Sequence, residues 1–465
     1  MVPYFPKQFS RKAITIYLIS LLIVSFVFMS YRLKPAFMII SIGWLLVFFL
    51  LAPQYTKKWV EIEEKKYVGK LFLTAFVLRL IWVIFSYFFY LIKTGIPFEF
   101  GASDSLAYHD AAIWFREIGW AGTFDYLFSR SYGDAGYPIY LTVLYSIIGP
   151  NVFLTRVVKS LLGSWTSVLA YKLAKRNFGD KAGRMAGIFC ALSPNLIIYC
   201  GLHLKEIEMI FLAVAALERA DNLLRQKRVS VVGVVLVALL VISLFFFRTV
   251  LGAAVVFAIF SSLVFSSMTV MSKWNRFVLV VWAIVGVAVM AGGTIANEAQ
   301  ELWNTRADNQ TAKRDYQVYK GVSWAKYATG TVMAPMMFVL PFPTLVDVDQ
   351  QYNQQIMSGG NYVRNFMGIF VIIAVFNALF KKKNWRDYAL IGAFIIAYLG
   401  IICSSGFANS ERFLLPGLPL LLIVGAYGVT LVNERNFKYV KVWYLLLPIM
   451  IVVWAVFKIG SRGLL

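Results

Sequence analysis

The sequence predicts an all-α polytopic membrane protein with about 13 transmembrane helices and further interfacial helices at the outer membrane face. Of the 465 residues, 60% are hydrophobic and only 15% are charged, and the mean hydropathy of +0.71 lies far above that of water-soluble domains. The apolar residues also fall in runs of about 17–25, the length that crosses the hydrocarbon as a helix whose backbone hydrogen bonds are all internal. Lipid is therefore the solvent for most of the chain.

The apolar runs are taken in chain order. The predicted spans lie at 13–31, 36–52, 71–92, 151–172, 183–200, 206–222, 230–247, 249–269, 276–294, 362–380, 387–404, 412–432 and 442–459. The first run has no small-residue cleavage site, and a second span follows it after Arg32 and Lys34. This order indicates a retained helix rather than a cleaved signal.

The net charge of +22 comes from Lys and Arg clusters that bracket the spans at every second loop, for example at 57–70, 172–184 and 381–386. The positive-inside rule therefore puts the N-terminus and these loops in the cytoplasm. A charge distributed in this way is typical of a membrane protein, and it argues against a nucleic-acid partner. The three cysteines lie in or beside spans without paired spacing, so they predict neither a disulfide framework nor a metal site.

With this orientation two long segments, 93–150 and 295–361, stand outside, and function is expected there. Residues 101–122 repeat apolar side chains at helical spacing, which predicts an amphipathic helix on the membrane surface. The apolar stretch 136–149 is too short to cross and is predicted as an interfacial or re-entrant helix. Residues 328–346 are broken by three prolines and are not counted as a span.

Acidic residues are scarce, 23 in all, yet six of them fall between residues 99 and 134. Asp104 stands where the amphipathic helix begins, so its carboxylate either caps free backbone N–H groups or lines a pocket. Tyr108 lies one turn further on the same face. Glu206 ends a very short outer loop at the top of an apolar helix, where a charge is usually functional. We expect Asp104 and Glu206 to converge, one as general base and the other orienting an acceptor or holding a divalent cation.

Cations at the outer ends of several spans indicate a bound anion. They are Arg156, Lys159, Arg248, Arg364 and Arg412. Arginine at this depth can grip a phosphate with two N–H groups, and a lipid phosphate is the anion that lies there. Any one of these side chains could instead snorkel to the interface or pair with an acid.

Beyond these patterns, an ordered set of motifs resembles the GT-C superfamily of membrane glycosyltransferases. Within that group it is most similar to bacterial relatives of the protein O-mannosyltransferases and of the lipid A aminoarabinose transferase. The resemblance covers 71–270, with weaker echoes at 248–252 and 412–421. The motifs are D-x-x-x-Y-H at 104–109, GYP at 136–138, R-x-x-x-x-L-L-G at 156–163, YKLAKRNFG at 171–179 and ALSPNLIIYCGLHLKE at 191–206.

The resemblance implies a GT-C-like fold and a polyprenyl-phosphate-linked sugar donor. It implies that Asp104 is the catalytic base near the acceptor and that Glu206 supports the catalytic centre. Two sets of substrate-binding residues follow from the matched motifs. The phosphate-binding candidates are Lys205, Arg248 and Arg412, and the other substrate-binding candidates are Tyr108, His109 and Tyr137.

The resemblance also implies a division of the chain. We predict an N-terminal hairpin of unassigned role at 1–70, a catalytic module at 71–270 with outer loop 93–150, and a C-terminal region at 271–465 with outer loop 295–361. No metal-ligating residues are assigned. Because Asp104–Ser105 is not a double acid, the resemblance does not require a metal, and a divalent cation, Mg or Mn, is left open as a cofactor.

The predicted function is sugar transfer to an acceptor hydroxyl at the outer face of a bacterial inner membrane, with a lipid, glycan or protein as acceptor. The expected partners are the lipid-linked donor, that acceptor and membrane lipids. Two alternatives remain. A lipid-linked saccharide transporter or flippase would also have many spans and embedded charges, but it predicts repeats and broken helices near the midplane. An O-antigen polymerase or ligase would have a long late outer loop, as 295–361 is.

Overall fold

The computed structural model describes residues 7–129, 135–226, 230–266, 336–348, 351–404 and 410–460. Every regular element in these ranges is helical, and one isolated antiparallel bridge joins Arg32 to Val346. The predicted all-α membrane class is thus confirmed. The predicted span 276–294 and most of the outer segment 295–361 lie outside the described residues.

The helices are numbered here in chain order. They are α1 Lys7–Val27, α2 Pro35–Tyr55, α3 Glu64–Thr94, α4 Ser103–Ser129, α5 Gly136–Ile148, α6 Val152–Phe178, α7 Asp180–Leu192, α8 Pro194–Ile198, α9 Glu206–Leu224, α10 Val231–Phe247, α11 Thr249–Phe265, α12 Tyr352–Ile356, α13 Ser358–Phe376, α14 Ala389–Ser404, α15 Glu411–Leu414, α16 Leu418–Leu431 and α17 Glu434–Gly460.

Twelve of the thirteen predicted spans coincide with helices of this set, and the thirteenth is the one outside the described residues. By length and composition, seven described helices can cross a membrane, or nine if each of two bent pairs counts as one span. The shorter α10 and α11 are apolar throughout. Helix α9 coincides with a predicted span but is not among these apolar helices. It carries Glu218 and Asp221, which are buried and paired with Arg176.

The predicted span 183–200 is broken in two. Helices α7 and α8 meet at 49° because Pro194 has no N–H to donate to the carbonyl of Cys190. The guanidinium of Arg79, buried in α3, replaces that bond, donating from Nη2 to Cys190 O at 3.1 Å and from Nη1 to Ala191 O at 3.0 Å. Gly163 leaves room for this guanidinium, because a Cβ there would lie 2.9 Å from Arg79 Nε.

The predicted surface helix and the short helix after it are both present as separate elements. Helix α4 runs through the predicted amphipathic stretch and kinks at Gly119, whose φ of 71° suits glycine. Helix α5 is bent by 114° from α6. It therefore does not continue α6 as a straight span.

Residues 339–346 and Val348 are buried without forming a helix. The stretch 328–346 was predicted not to be a span, and its described part, 336–346, agrees with that prediction. Buried backbone outside regular structure requires protein partners for its polar groups. Side chains of α12 and α13 supply them. Asn365 Nδ2 donates to the carbonyls of Val339 and Pro341 at 2.6 and 2.9 Å, and Ser358 Oγ donates to that of Thr344 at 2.8 Å.

The N-terminal hairpin packs against the C-terminal helices. Tyr362 of α13 donates its hydroxyl to the carbonyl of Ala13 at 2.7 Å, and the rings of Phe9 and Phe370 lie 5.6 Å apart. Helix α1 also contacts α17, and α2 contacts α13. The predicted division at residues 70 and 270 stays a prediction.

Helices α13 and α16 approach so closely that Gly428 is required. A Cβ at this position would lie 1.8 Å from the carbonyl oxygen of Phe370. We expect Gly428→Ala to lower the free energy of unfolding by about 1–3 kcal/mol, because the two helices must separate. Thermal unfolding in detergent measures the change. Gly392→Ala is the matched control, since nothing lies within 4 Å of its Cβ. Equal unfolding midpoints for the two variants would contradict this close approach.

Candidate active site

Three helices begin at the same place and bring together three of the predicted residues. Asp104 is in the first turn of α4, Glu206 is the first residue of α9, and Arg412 is in α15. The Arg412 guanidinium donates from Nη1 to Asp104 Oδ2 and from Nε to Glu206 Oε1, the latter at 2.5 Å. One guanidinium therefore joins carboxylates from the two predicted outer loops.

The charges of this triad run from the protein interior to the surface. The Glu206 side chain is fully buried, that of Arg412 is 20% exposed and that of Asp104 is 52% exposed. Both carboxylates stand at helix N-termini, where the helix dipole favours negative charge. The Asp104 carboxylate accepts a hydrogen bond from Arg412, whereas the alternative was that it simply capped backbone N–H groups of the helix. Its exposure leaves it accessible to a molecule from outside the bundle.

Two further predicted cations lie beside the triad. Lys205 is buried and donates to the carbonyl of Phe247 at 3.0 Å, with its ammonium 5.7 Å from the Tyr108 ring centroid. Arg248 follows Phe247 directly in the break between α10 and α11. Its guanidinium lies 4.6 Å from the ring of Phe413, the neighbour of Arg412. Three cations and two carboxylates thus share one end of the bundle.

The predicted tyrosines form the aromatic wall next to Lys205. Tyr108 is half-buried, and its ring meets that of the fully buried Tyr137 edge-on at 5.2 Å. Gly136 explains why the GYP motif starts with glycine. A Cβ there would lie 2.8 Å from the backbone of Phe246, so only glycine lets α5 contact the end of α10.

His109 is turned away from Tyr108 into a buried hydrogen-bonded chain. Its Nδ1 lies 2.7 Å from the hydroxyl of Tyr145, which lies 3.1 Å from Nε2 of the buried His203. Burial lowers the pKa of both histidines, and for His203, well below its usual value, the nearby cations Lys159 and Arg156 add to the effect. These are the only two histidines of the chain. The structure pairs His109 with Tyr145 and His203, a pairing that the sequence did not predict.

Acid is expected to destabilise the protein through His203. Its pKa is lower in the folded state than in the unfolded state, so the unfolded state binds more protons as the pH falls. The stabilising contribution is present above about pH 6.5 and is lost below it, by about 1.4 kcal/mol per unit of pKa difference. Unfolding midpoints in detergent should therefore drop between about pH 7.5 and about pH 5. In His203→Gln the drop should be smaller, and an identical drop would contradict this role.

A second group of charged residues, Glu99 and Arg156, lies behind the triad. The sequence placed Glu99 among the clustered acidic residues and Arg156 among the cations expected to bind an anion, and the structure shows both in contact with protein groups. Glu99 is buried and accepts hydrogen bonds from the Ser105 hydroxyl and from the backbone N–H of His203, the latter at 3.4 Å. Arg156 is fully buried and donates to the carbonyl of Pro97 at 2.6 Å. These contacts fix the chain before α4. In the sequence these two residues stand out as charged residues within apolar surroundings, and that pattern does not reveal which groups they contact.

The residues of the triad do not fit a divalent cation. Mg²⁺ and related ions take about six oxygen ligands, whereas here two carboxylates already share one guanidinium. Within the described ranges, no group of three or more His, Cys, Asp or Glu side chains could hold a metal ion.

No protein-family model matches the sequence, and no curated protein matches it. Two solved structures share part of its architecture. One is an oligosaccharyltransferase from Archaeoglobus fulgidus, in complex with Zn and sulfate, at 14% identity and a TM-score of 0.36, covering 72% of this chain and 45% of that one. The other is the archaeal oligosaccharyltransferase AglB from Archaeoglobus fulgidus, in complex with an inhibitory peptide and a dolichol-phosphate, at 11% identity and a TM-score of 0.36, covering 72% and 48%. This chain spans less than half the length of either, and a likeness this distant carries no conclusion about function.

Proposed function

We propose that this protein is a membrane glycosyltransferase that moves a sugar from a polyprenyl-phosphate-linked donor to an acceptor hydroxyl. The observation that carries the proposal is the triad, in which Arg412 joins the accessible Asp104 to the buried Glu206. An accessible carboxylate beside clustered cations suits a reaction that removes a proton and releases a phosphate.

The site faces the exterior in this proposal, because the basic clusters lie at the other end of the bundle. Helix α3 begins at that end of the bundle, and helices α6 and α9 end there. Lys175 pairs with Glu64 at 2.7 Å, and Arg176 pairs with Glu218 at 2.8 Å. Arg184 donates to the carbonyl of Trp59 at 2.8 Å. Positive clusters are retained on the cytoplasmic side, so the opposite end, with the triad, lies outside.

The donor phosphate would meet Arg412 and Arg248. A guanidinium has five N–H groups, and the bonds to Asp104 and Glu206 use two of those on Arg412. The remaining groups can bind phosphate oxygens at the depth where a lipid phosphate lies. Glu206 holds the guanidinium in place from its buried side, so that little reorganisation is needed when the donor binds.

Asp104 would accept the acceptor's proton. The acceptor oxygen attacks the anomeric carbon and forms the new glycosidic bond while the bond from that carbon to the phosphate oxygen breaks. The proton passes to the Asp104 carboxylate, and the electron pair of the broken bond leaves with the lipid phosphate. Because arginine stabilises the negative charge on the leaving phosphate, no separate strong acid is required.

The test is release of free polyprenyl phosphate from a radiolabelled polyprenyl-phosphate-sugar pool in vesicles. Wild-type vesicles supplied with several donors and crude acceptors should release it, and vesicles without the protein should not. Movement of intact donor across the membrane without release would support the transporter instead. Absence of both would refute sugar transfer from this donor class.

A further inference from the structure

Lys159 lies about two turns into α6 and is fully buried, and its ammonium contacts four groups. Its ammonium donates to the carbonyl of Leu202 at 2.8 Å and to that of Leu204, and to the hydroxyl of Tyr137 at 3.3 Å. The carboxylate of Glu208 lies 3.6 Å away and balances its charge. A buried ammonium is costly unless such partners surround it.

The loop that Lys159 holds has few other ways to satisfy its carbonyls. Residues 202–205 are neither helix nor strand, between the turn Tyr199–Gly201 and the start of α9. Buried carbonyls outside regular structure need a donor from elsewhere. One ammonium supplies donors to Leu202 and Leu204 together. The loop therefore takes its shape from a side chain of a different helix.

This loop leads directly to the proposed site. Lys205 and Glu206 follow Leu204 in the chain, and Glu206 is the buried partner of Arg412. The Tyr137 hydroxyl connects the same ammonium to the aromatic wall, since the Tyr137 ring packs on Tyr108. A shift of this loop would move Glu206 relative to Arg412.

We infer that Lys159 is a positioning residue, which sets the geometry of the Asp104–Arg412–Glu206 triad by clamping the loop before Glu206. This inference rests on the proposed glycosyltransferase function. Lys159 touches no substrate, so its effect passes through Glu206. A displacement of about 1 Å at a reacting centre can cost about 100-fold in rate.

The test is a double-mutant cycle on transfer rate. Lys159→Met should lower kcat by about 10- to 100-fold with little change in the donor KM. In a Glu206→Gln background the same substitution should add less than about twofold, because the loop then has no carboxylate to position. Equal factors in both backgrounds would mean that Lys159 only supports folding, and the inference would fail.

Arg79→Met is the matched control. It removes an equally buried cation that also holds two carbonyls, those of Cys190 and Ala191, away from Glu206. Its factor should be the same in both backgrounds. If Lys159→Met does not fold, Lys159→Met/Glu208→Gln removes both members of the buried pair and should fold while keeping the low kcat. Wild-type kcat in that double variant would also overturn the inference.

A measurement without turnover separates this inference from the proposed function. Hydrogen exchange of peptides covering 202–206 should accelerate in Lys159→Met and stay unchanged in Arg79→Met. If the wild type transfers no sugar but this acceleration is found, Lys159 does hold the loop and the glycosyltransferase proposal is wrong. If hydrogen exchange of these peptides is unchanged in Lys159→Met, Lys159 does not hold the loop, whatever the rate of sugar transfer.

Discussion

Asp104→Asn is expected to lower sugar transfer by about 100- to 10,000-fold, the range that a positioned general base contributes. Asparagine keeps the size of the side chain and a hydrogen-bond acceptor for Arg412, but it cannot take up the acceptor's proton. The half-exposed position of Asp104 predicts little change in folding. Release of labelled polyprenyl phosphate by vesicles with matched amounts of inserted protein measures the effect.

The control for this prediction is Asp110→Asn, which changes the same residue type at an exposed position of α4. It should release lipid phosphate at the wild-type rate. If Asp104→Asn does so too, Asp104 contributes only to the helix N-terminus and the assignment of the base is wrong.

Arg412→Met is expected to lower both the rate of sugar transfer and the stability of the protein. It removes the proposed ligand of the donor phosphate, which should lower transfer by about 100- to 1,000-fold. It also leaves the fully buried Glu206 carboxylate without its cation, at a cost of about 3–5 kcal/mol in the free energy of unfolding. Transfer rates and thermal unfolding in detergent measure the two losses separately.

A double variant separates the loss of sugar transfer from the loss of stability. Arg412→Met/Glu206→Met replaces the buried pair with apolar side chains, so stability should return to near that of the wild type while transfer stays low. Recovery of transfer together with stability would mean that Arg412 only neutralises Glu206 and binds no phosphate.

Much of the fold was predictable because a lipid solvent imposes length and apolarity on each helix. The spans followed from those two constraints, and helix α4 followed from the helical spacing of its apolar residues. The break at Pro194 was missed, because only the structure reveals that Arg79 of α3 replaces the lost hydrogen bond. The irregular path of 339–348 was signalled by its prolines, but its partners were not.

For the site, sequence reasoning found the charged groups but not how they are connected. Glu206 and Arg412 were singled out for a charge at the end of a span and Asp104 for its place at the start of the surface helix, yet Asp104 and Arg412 stand 308 positions apart. Lys159 was noticed as a cation, but contacts with Leu202 and Leu204 are set by helix packing and have no spacing signature. His109 shared a motif with Tyr108, and the helix turns it instead toward Tyr145.

The buried path of residues 339–348 has a consequence for how the protein is made. The side chains that satisfy its carbonyls, Ser358 and Asn365, are synthesised after it. A buried carbonyl left without a donor costs about 1–3 kcal/mol. The segment therefore cannot take up its buried path when it first leaves the ribosome. It acquires that path only after α13 has been made, so this part of the protein folds against the order of translation.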